Sequence, residues 1–539
     1  MRLIILIFLS FCFWMISTPN VHAQVVKDYK DISIFMGDKK KSKGYIESFS
    51  KTPSGKIICV QNQSNLLNLF SKIKANRSFG YVEDYTLPQT KYLKFYGDGR
   101  RTDLASYAIL GEHILAVSYR SDFASRNDLL YYHFIDPSSD TRINHGFSIP
   151  EDFSRMYKNI NISRLILISS EDASYSSIMY LPNTTDAEFT QLNYLLFASN
   201  SEVPVLRGIN YPYSTNNFNP LDFFIFNPDN QFLIAAHYND KELAKTKAYE
   251  FDEIKITQLK DKELHEWSIR EQGIYFSDTK CYPSENGFTI VSLYKYQING
   301  EIQGVLIAKM DKEGNILNKY FTPFNNETLT YIRSATKFNA GFNLDFEPST
   351  HNFKLIDFYA IGDNYYGIIE YKATEYRYGG AAMPNGAGSI DRYYWCNDLI
   401  AFGINKRDST QWFSLIPKLQ RTVNDGGYYL SATSYLSDNH LHIFFNDNLS
   451  NYNKDGDFIK DENTSELAQF NAVKNTITHV SIDCTNGNVT RKSTIGRYES
   501  NIIFTPSLSV PIPERNTLFI NGNNLKNYRL GNIFFNKEK

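Results

Sequence analysis

Apolar and polar residues alternate with a period of two over many short stretches of the chain, and small polar turns separate these stretches. The clearest example lies in 393–452. There the β-rich run 428–436 is followed by Ser437-Asp438-Asn439 and then by the apolar run 441–445. Side chains alternate between the faces of a strand, and short Asn and Asp turns close hairpins, so this pattern predicts a β-hairpin. Both faces of the return strand are apolar, which predicts a position between neighbouring sheets.

The same turn and return strand recur along the chain. Four turns at intervals of 78, 75 and 77 residues contain Asn286, Asn364, Asn439 and Asn516. Fainter and more closely spaced copies precede them, with turns at Gly55, Glu112, Tyr175 and Asn230. Units in the later part of the chain also hold a second hairpin, and two hairpins make a four-stranded sheet.

Units of this size and number are typical of a β-propeller, whose blades are four-stranded sheets arranged around a channel. The sequence therefore predicts an all-β fold, a single propeller of about seven or eight blades. The last unit contains only the strands 517–521 and 528–535, so 31–36 is expected to complete it and to close the ring by pairing the N- and C-terminal strands. A pair of β-sandwich domains and a solenoid are the alternatives. No linker rich in Pro, Gly or Ser divides the chain, which disfavours the pair.

The N-terminal residues 1–23 have the pattern of a signal peptide. Arg2 is followed by the apolar run 3–16, Pro19 ends that run, and Val21 and Ala23 place small residues before a cleavage point. Export is therefore predicted, with 24–539 as the mature propeller-like domain. The alternative is a membrane anchor, but the run 3–16 is shorter than the roughly 20 residues needed to span a bilayer. No later segment has a long uncharged apolar run, so no membrane span is predicted.

Composition limits the classes of partner. With 21% charged and 42% hydrophobic residues among 539, the chain is that of a globular protein. Its net charge of −2 provides no electrostatic basis for binding nucleic acid or an anionic membrane. Aromatic residues reach 15%, which is expected of sheet cores and edges; a stacking surface for sugars or peptides is the alternative explanation.

Four cysteines remain after removal of the signal peptide: Cys59, Cys281, Cys396 and Cys484. They are too widely spaced in sequence to indicate a zinc knuckle or a redox pair. In an oxidising compartment they can form one or two disulfides, and buried free thiols are an equally good interpretation.

A calcium-binding loop is the best candidate for a site with defined chemistry. Its predicted ligands are the oxygen-bearing residues of 451–462, namely Asn451, Asn453, Asp455, Asp457 and Glu462. Their spacing matches a calcium loop, with Gly456 at the sharp turn and a carboxylate at the twelfth position. A solvated hairpin loop is the alternative, because Asn, Asp and Gly are also the usual turn residues. No other cofactor is predicted.

Other patterns are weaker. His440 and His442 share a strand face, but two histidines without a third ligand are more often packing residues. The glycine-rich segment 376–389 predicts a surface insertion or a lid over one face of the ring. The sequence contains neither a phosphate loop nor a Gly-x-Ser-x-Gly elbow, so no catalytic motif is found and enzymatic activity stays open.

The sequences of 393–420 and 425–448, together with Tyr-Arg-Leu-Gly-Asn-Ile-Phe-Phe at 528–535, resemble a propeller-like family of exported β-repeat proteins of Bacteroidota. The resemblance lies mainly within 393–539, and its clearest piece is 416–420. The family usually has Asp and Gly in the turn where this chain has 406–409. The resemblance implies export and repeats, and it supplies no activity, substrate or catalytic residue.

Two classes of function follow. The first is an exported, non-catalytic binding or scaffold protein that uses one face of the propeller to hold a glycan, a peptide or a partner protein. The second is a polysaccharide-acting hydrolase or lyase whose acid and base come from different blades and meet at the central channel. The first is favoured because the sequence names no catalytic residue. Since the repeats run to Lys539, the periplasm is a better expectation than the cell surface or the medium.

Overall fold

The computed structural model describes residues 25–536 apart from short internal segments. These segments are 43, 64–75, 89–91, 123–126, 139–146, 149–164, 182–188, 202, 241–242, 244–249, 261–262, 285, 341–351, 379–389, 407–409, 460–463, 470, 472, 496–501 and 525–526. The predicted signal peptide, 1–23, therefore lies outside the described residues. No helix in the described part of the chain is long and apolar enough to cross a membrane.

The described chain is mostly β-structure. In its first half the strands are β1 (Val25–Asp28), β2 (Ile32–Met36), β3 (Lys40–Lys41), β4 (Tyr45–Lys51), β5 (Ile57–Asn62), β6 (Arg77–Tyr81), β7 (Phe95–Gly97), β8 (Arg100–Leu110), β9 (His113–Asp122), β10 (Asn127–Ile135), β11 (Phe147–Ser148), β12 (Leu165–Ser169), β13 (Tyr175–Tyr180), β14 (Thr190–Ala198), β15 (Val205–Tyr211), β16 (Phe218–Asn227), β17 (Asn230–His237), β18 (Glu253–Lys260) and β19 (Glu263–Ile269).

In its second half the elements are β20 (Tyr275–Ser284), β21 (Gly287–Lys295), β22 (Ile302–Asp311), β23 (Ile316–Pro323), the helix α1 (Asn326–Ala340), β24 (Phe353–Ile361), β25 (Asn364–Tyr378), β26 (Ile390–Asn405), β27 (Gln411–Ile416), β28 (Arg421–Val423), β29 (Ala432–Ser437), β30 (His440–Asn448), β31 (Asn475–Asp483), β32 (Val489–Ser493), β33 (Ile503–Phe504), β34 (Val510–Ile512), β35 (Thr517–Asn523) and β36 (Asn527–Phe535).

Within the described residues the strands form eight antiparallel sheets, here numbered as blades in chain order. Their strands are β4–β6 in blade 1, β7–β11 in blade 2, β12–β15 in blade 3, β16–β19 in blade 4, β20–β23 in blade 5, β24–β28 in blade 6, β29–β32 in blade 7, and β33–β36 with β1–β3 in blade 8. Blade 8 thus joins the two ends of the chain. Its strand β2 pairs with β36, with Ile34 opposite Ile533.

A hydrophobic cluster fills the space between each blade and the next, which shows that the eight sheets form a closed ring. Between blades 4 and 5, for example, Phe232 packs with Phe288 at a ring-centroid distance of 5.2 Å. The clusters continue around the ring from blade 1 to blade 7. Two more clusters join blade 7 to blade 8 and blade 8 to blade 1. Apolar side chains on both faces of each sheet are therefore buried without another layer.

This architecture confirms the predicted all-β propeller closed by its terminal strands. The eight predicted turns all fall where the first main strand of a blade turns into the second. Gly55, Glu112, Asn286, Asn439 and Asn516 lie between the two strands, and Tyr175, Asn230 and Asn364 are the first residues of the second strand. Asn439 and Asn516 adopt φ angles of 61° and 48°. Asparagine tolerates this left-handed conformation better than most residues, which explains its recurrence in these turns.

The first strands of the blades line the axis of the ring. Consecutive first strands approach one another, β8 with β12, β12 with β16, β16 with β20, β20 with β24, and β24 with β29. The pairing register shifts within β4, β8, β16, β20 and β24. Such bulges bend a strand and redirect its side chains. The bulges in the first strands therefore determine which side chains face the channel.

Candidate functional site

The two faces of the ring carry different connections. Successive antiparallel strands turn on alternate faces, so the turns after the first and third strands of each blade share one face, here called the turn face. The connections after the second and fourth strands share the opposite face, here called the loop face. The loop face is built up around blades 5–7 by 324–340 with α1, by 417–431 with β28, and by the described residues of 449–474. Binding residues on a rigid scaffold are most often carried by such connections.

A two-stranded extension of blade 6 rises on the loop face. Residues 372–378 of β25 pair with 390–396 of β26, and β28 pairs with 393–395 on the other side of β26. These residues, 372–378, 390–396 and β28, are here called the arm. Asp398 is the extra residue of a bulge at its base, because Glu370 pairs with Leu399 and Tyr371 with Asn397. A bulge at this point increases the local twist and turns the arm relative to the blade.

The arm carries aromatic rings covered by guanidinium groups. Arg377 lies 4.5 Å from the ring centroid of Tyr393, and Arg392 lies 4.9 Å from that of Tyr376. Tyr376 is nevertheless 56% exposed. Tyrosine and arginine offer a large contact area together with hydrogen-bonding groups, and they are enriched where binding energy concentrates.

A buried charge cluster holds the base of the arm. The Glu370 carboxylate is fully buried and forms an ion pair with the equally buried Lys418. Lys372 Nζ lies 3.1 Å from the other carboxylate oxygen, which also accepts a hydrogen bond from Ser431 Oγ. Burial alone would raise the pKa of Glu370, but the two ammonium groups outweigh it and hold the pKa below its usual value.

Lys418 also donates to Gln420 Oε1. Within 416–420, Lys418 therefore joins the connection to β25, and Gln420 joins it to β30 through a hydrogen bond to Asn446 O.

The loop-face connections of blades 6 and 7 pack on each other. Arg421 and Glu466 form an ion pair at 2.8 Å. Gln469 accepts a hydrogen bond from Val423 N and donates one to Val423 O. The arm therefore stands on a base held by two blades, so its position relative to the channel is fixed by these contacts.

Aspartates on the first strands of blades 4, 5 and 6 face the channel region. Asp278 Oδ2 accepts a hydrogen bond of 2.6 Å from Leu355 N on the next blade, and its other oxygen lies 3.5 Å from Lys354 Nζ. Asp357 accepts hydrogen bonds from Ser434 Oγ at 2.5 Å and from its neighbour Tyr359 OH at 3.2 Å. The contacts of Asp278 with β24 and of Asp357 with Ser434 cross from blade to blade and join the first strands near the axis.

Burial shifts the proton affinity of this region. Desolvation raises the pKa of Asp222 to about 6, and a single hydrogen bond from Phe223 N opposes it. Desolvation also raises the pKa of Asp357. It lowers the pKa of Lys280, which lies near Asp278 and Asp357. Carboxyl groups that hold a proton near neutral pH occur at sites that transfer protons, and also in structural networks.

These aspartates were not among the site residues predicted from the sequence. Asp222 and Asp357 occupy the same place in their blades, each directly after a bulge residue and before a buried phenylalanine, in Leu221-Asp222-Phe223 and Ile356-Asp357-Phe358. Each accepts a hydrogen bond from the N–H of that phenylalanine, at 2.8 and 3.0 Å. The recurrence of this triplet seven or eight residues before the repeated turn was the available signal.

The predicted calcium loop forms a compact turn in the described residues. Asn451 is buried, and its side-chain oxygen accepts a hydrogen bond from Ser465 N at 2.7 Å. Asn453 Oδ1 accepts from the N–H groups of Asp455 and Asp457, at 3.0 and 2.8 Å. Glu462 lies outside the described residues, and among the described residues no group of three or more His, Cys, Asp or Glu side chains is placed to hold a metal. The calcium site stays a prediction.

His442 has a partner that the sequence pattern did not indicate. Its Nδ1 lies 2.9 Å from Nε2 of His479 on the adjacent strand, and both rings are buried between blades 7 and 8. Burial lowers the pKa of His479 to about 3 and that of His442 well below its usual value. One neutral ring donates to the other, as expected of packing residues.

The remaining predicted features have simple positions. The four cysteines are free thiols, and Cys59, Cys281 and Cys484 are buried. Of the glycine-rich segment, 376–378 belong to the arm, while 379–389 lie outside the described residues.

Comparisons with known proteins show general similarity to propellers. No protein-family model matches the chain, and no curated protein matches it. Among solved structures, the chain is similar to the WD40 domain of SCAP from fission yeast, with TM-score 0.40, 9% identity, and coverage of 91% of this chain and 96% of that one.

It is also similar to Saccharomyces cerevisiae Sqt1 (TM-score 0.37, 8% identity, 93% and 98% covered) and to the β-propeller domain of the Trilobed protease from Pyrococcus furiosus (0.32, 10%, 85% and 98%). These similarities carry no argument about function. The resemblance to exported proteins of Bacteroidota stays a prediction.

Proposed function

We propose that this protein is an exported, non-catalytic binding or scaffold protein that holds a glycan, a peptide or a partner protein on the loop face of its propeller. The observation that carries the proposal is the arm, which presents Tyr376 to solvent, with Arg392 beside its ring, from a buried base. Export rests on the signal-peptide pattern of 1–23, and the periplasm is the proposed location.

The arrangement suits binding because rigidity and exposure are combined. The charge cluster at Glu370 and the contacts between the blade 6 and blade 7 connections hold the arm in place, so little conformational entropy is lost when a ligand is bound. The exposed tyrosine face supplies apolar area for a sugar ring or a peptide side chain. Lys372, at the foot of the arm, adds a positive charge beside the channel.

A polysaccharide-acting hydrolase or lyase is the second candidate, and one specific observation favours it. The pKa of Asp222 is raised to about 6, so this carboxyl can hold and release a proton near neutral pH as a general acid does. Asp278 and Asp357 on the next two blades would supply further carboxylates at the channel.

A ligand screen on the mature chain, 24–539, distinguishes the two candidates. Thermal unfolding is measured against a panel of oligosaccharides and peptides, and each hit is repeated with Tyr376→Ala and with Ile361→Ser. Ile361 is 59% exposed at the opposite, turn-face end of the same blade and serves as the matched control. The binding proposal expects a shift that Tyr376→Ala removes and Ile361→Ser keeps. Release of shorter products from an oligosaccharide would instead support the enzyme, provided that Asp222→Asn abolishes this release and Tyr376→Ala retains it.

A further inference from the structure

The arm has one strand edge that is unpaired in the described part of the chain. Strand β24 pairs with β25 only as far as Phe353 opposite Tyr371, whereas β25 continues to Tyr378. Within the described residues no strand pairs with this side of 372–378. Because β24 is the innermost strand of blade 6, this edge faces the mouth of the channel.

Hydrogen bonds on the far side of β26 establish which backbone groups the edge presents. Arg392 O accepts from Asn424 N at 2.9 Å, and Cys396 N donates to Gln420 O at 3.1 Å, so these two residues point away from β25. Backbone direction alternates along a strand, and their pairing partners on β25 are Tyr376 and Lys372. The N–H and C=O groups of Lys372, Thr374 and Tyr376 therefore point to the free edge.

The edge lacks some of the features that protect sheet edges. Natural edge strands are kept short, carry charged side chains or proline, or are twisted away by bulges. Residues 372–378 contain no proline, and their pairing with β26 is regular over the whole length. Thr374 is exposed beside Tyr376. Lys372 is the one charged residue among the three whose backbone groups point to the edge.

Lys372 has a partly exposed ammonium group at the edge. Its side chain is 38% exposed and is paired with Glu370, a carboxylate that the buried Lys418 also contacts. Asp278 and Lys280 on β20 both lie within electrostatic range of Lys372 and have opposite charges. An acidic side chain placed beside Lys372 can therefore pair with this exposed ammonium group.

We infer that the free edge of β25 binds an extended peptide strand of a partner by β-strand addition, with an acidic side chain of that strand beside Lys372. This rests on the proposed binding function and specifies its partner. The alternating N–H and C=O groups of 372–376 match the spacing of a peptide backbone, which favours a peptide over a glycan.

A direct test uses a fluorescent, acetylated and amidated eight-residue peptide that alternates aspartate with valine. Its binding to the mature chain is followed by fluorescence anisotropy. Thr374→Pro removes one N–H at the free edge without removing a bond to β26, and proline is tolerated at such edge positions. Thr374→Val keeps the N–H and is the matched control. We expect Thr374→Val to bind like the natural chain and Thr374→Pro to bind roughly tenfold more weakly, as for one lost hydrogen bond.

Two further measurements test direction and charge. Two modified peptides are compared, one N-methylated at every aspartate and the other at every valine. One of them should lose binding and the other should keep it, because only alternate residues of a docked strand point their N–H groups toward the edge. Lys372→Glu should weaken binding of the aspartate peptide and favour the same peptide with lysine in place of aspartate.

Several outcomes would overturn the inference. Equal affinity of Thr374→Pro and Thr374→Val would exclude backbone pairing at this edge. Absence of binding by every peptide would also exclude the inference. If an oligosaccharide then raised the melting temperature and Tyr376→Ala removed that rise, the proposed binding function would still hold. A dimer in sedimentation velocity that Thr374→Pro dissociates would identify a second copy of the chain, not an acidic peptide, as the occupant.

Discussion

Replacing Asp222 by asparagine should stabilise the protein at alkaline pH. The carboxyl is partly buried on the first strand of blade 4, and its one hydrogen bond comes from Phe223 N. Asparagine keeps an oxygen that can accept this bond and removes the charge that burial disfavours. Sites built for function often retain such destabilising groups.

The size of the effect follows from the pKa. Burial raises it from 3.8 to about 6. The folded state therefore binds a proton more readily than the unfolded state, and the ionised carboxylate destabilises the fold. This cost is fully present above about pH 6 and fades as pH falls toward 3.8. A difference of about 2 pH units corresponds to at most ~3 kcal/mol.

The assay is denaturant unfolding of the natural chain and of Asp222→Asn at pH 8 and pH 4. We expect a gain in the free energy of unfolding of up to ~3 kcal/mol at pH 8 and well under 1 kcal/mol at pH 4. Asp229→Asn, in the exposed turn after the same strand, is the control and should change little at either pH. Destabilisation by Asp222→Asn at both pH values would refute the reasoning.

Three other predictions concern the core and the calcium loop. Burial lowers the pKa of His133 to about 4 and that of His479 to about 3, so between these values and pH 6.5 the two histidines bind protons in the unfolded chain but not in the folded one. The free energy of unfolding should therefore fall between pH 6.5 and 4, and His133→Gln should make that fall less steep. An unchanged pH profile in His133→Gln would contradict this. Lys418→Met should lower the free energy of unfolding by about 3–5 kcal/mol, because it leaves the Glu370 carboxylate buried with only Lys372 as a partner. Adding Glu370→Gln to this variant should restore part of the loss. A loss below about 1 kcal/mol in Lys418→Met would show that the Glu370–Lys418 ion pair is not needed for stability. Millimolar calcium should raise the melting temperature, and Glu462→Ala should abolish that rise; no shift with the natural chain would exclude the calcium site.

Local regularities in the sequence predicted the ring correctly. The alternation along each strand and the polar residues of each turn are properties of neighbouring residues, so they can be recognised without knowing what packs against them. The recurring turns from Gly55 to Asn516 predicted the first hairpin of every blade, and 31–36 was correctly predicted to close the ring. These features can be recognised in the sequence because a hairpin is stabilised by residues that lie within a few positions of its turn.

The candidate site depended on the tertiary structure. Asp278 and Asp357 come close only because successive first strands meet at the axis, and the bulges that direct them depend on pairing across each blade. His479 meets His442 through strand register. Within the described residues the edge of 372–378 is unpaired because β24 begins only at Phe353, opposite Tyr371. Each of these features joins residues far apart in the chain, and their proximity is set by ring closure and register, for which a single sequence carries no local pattern.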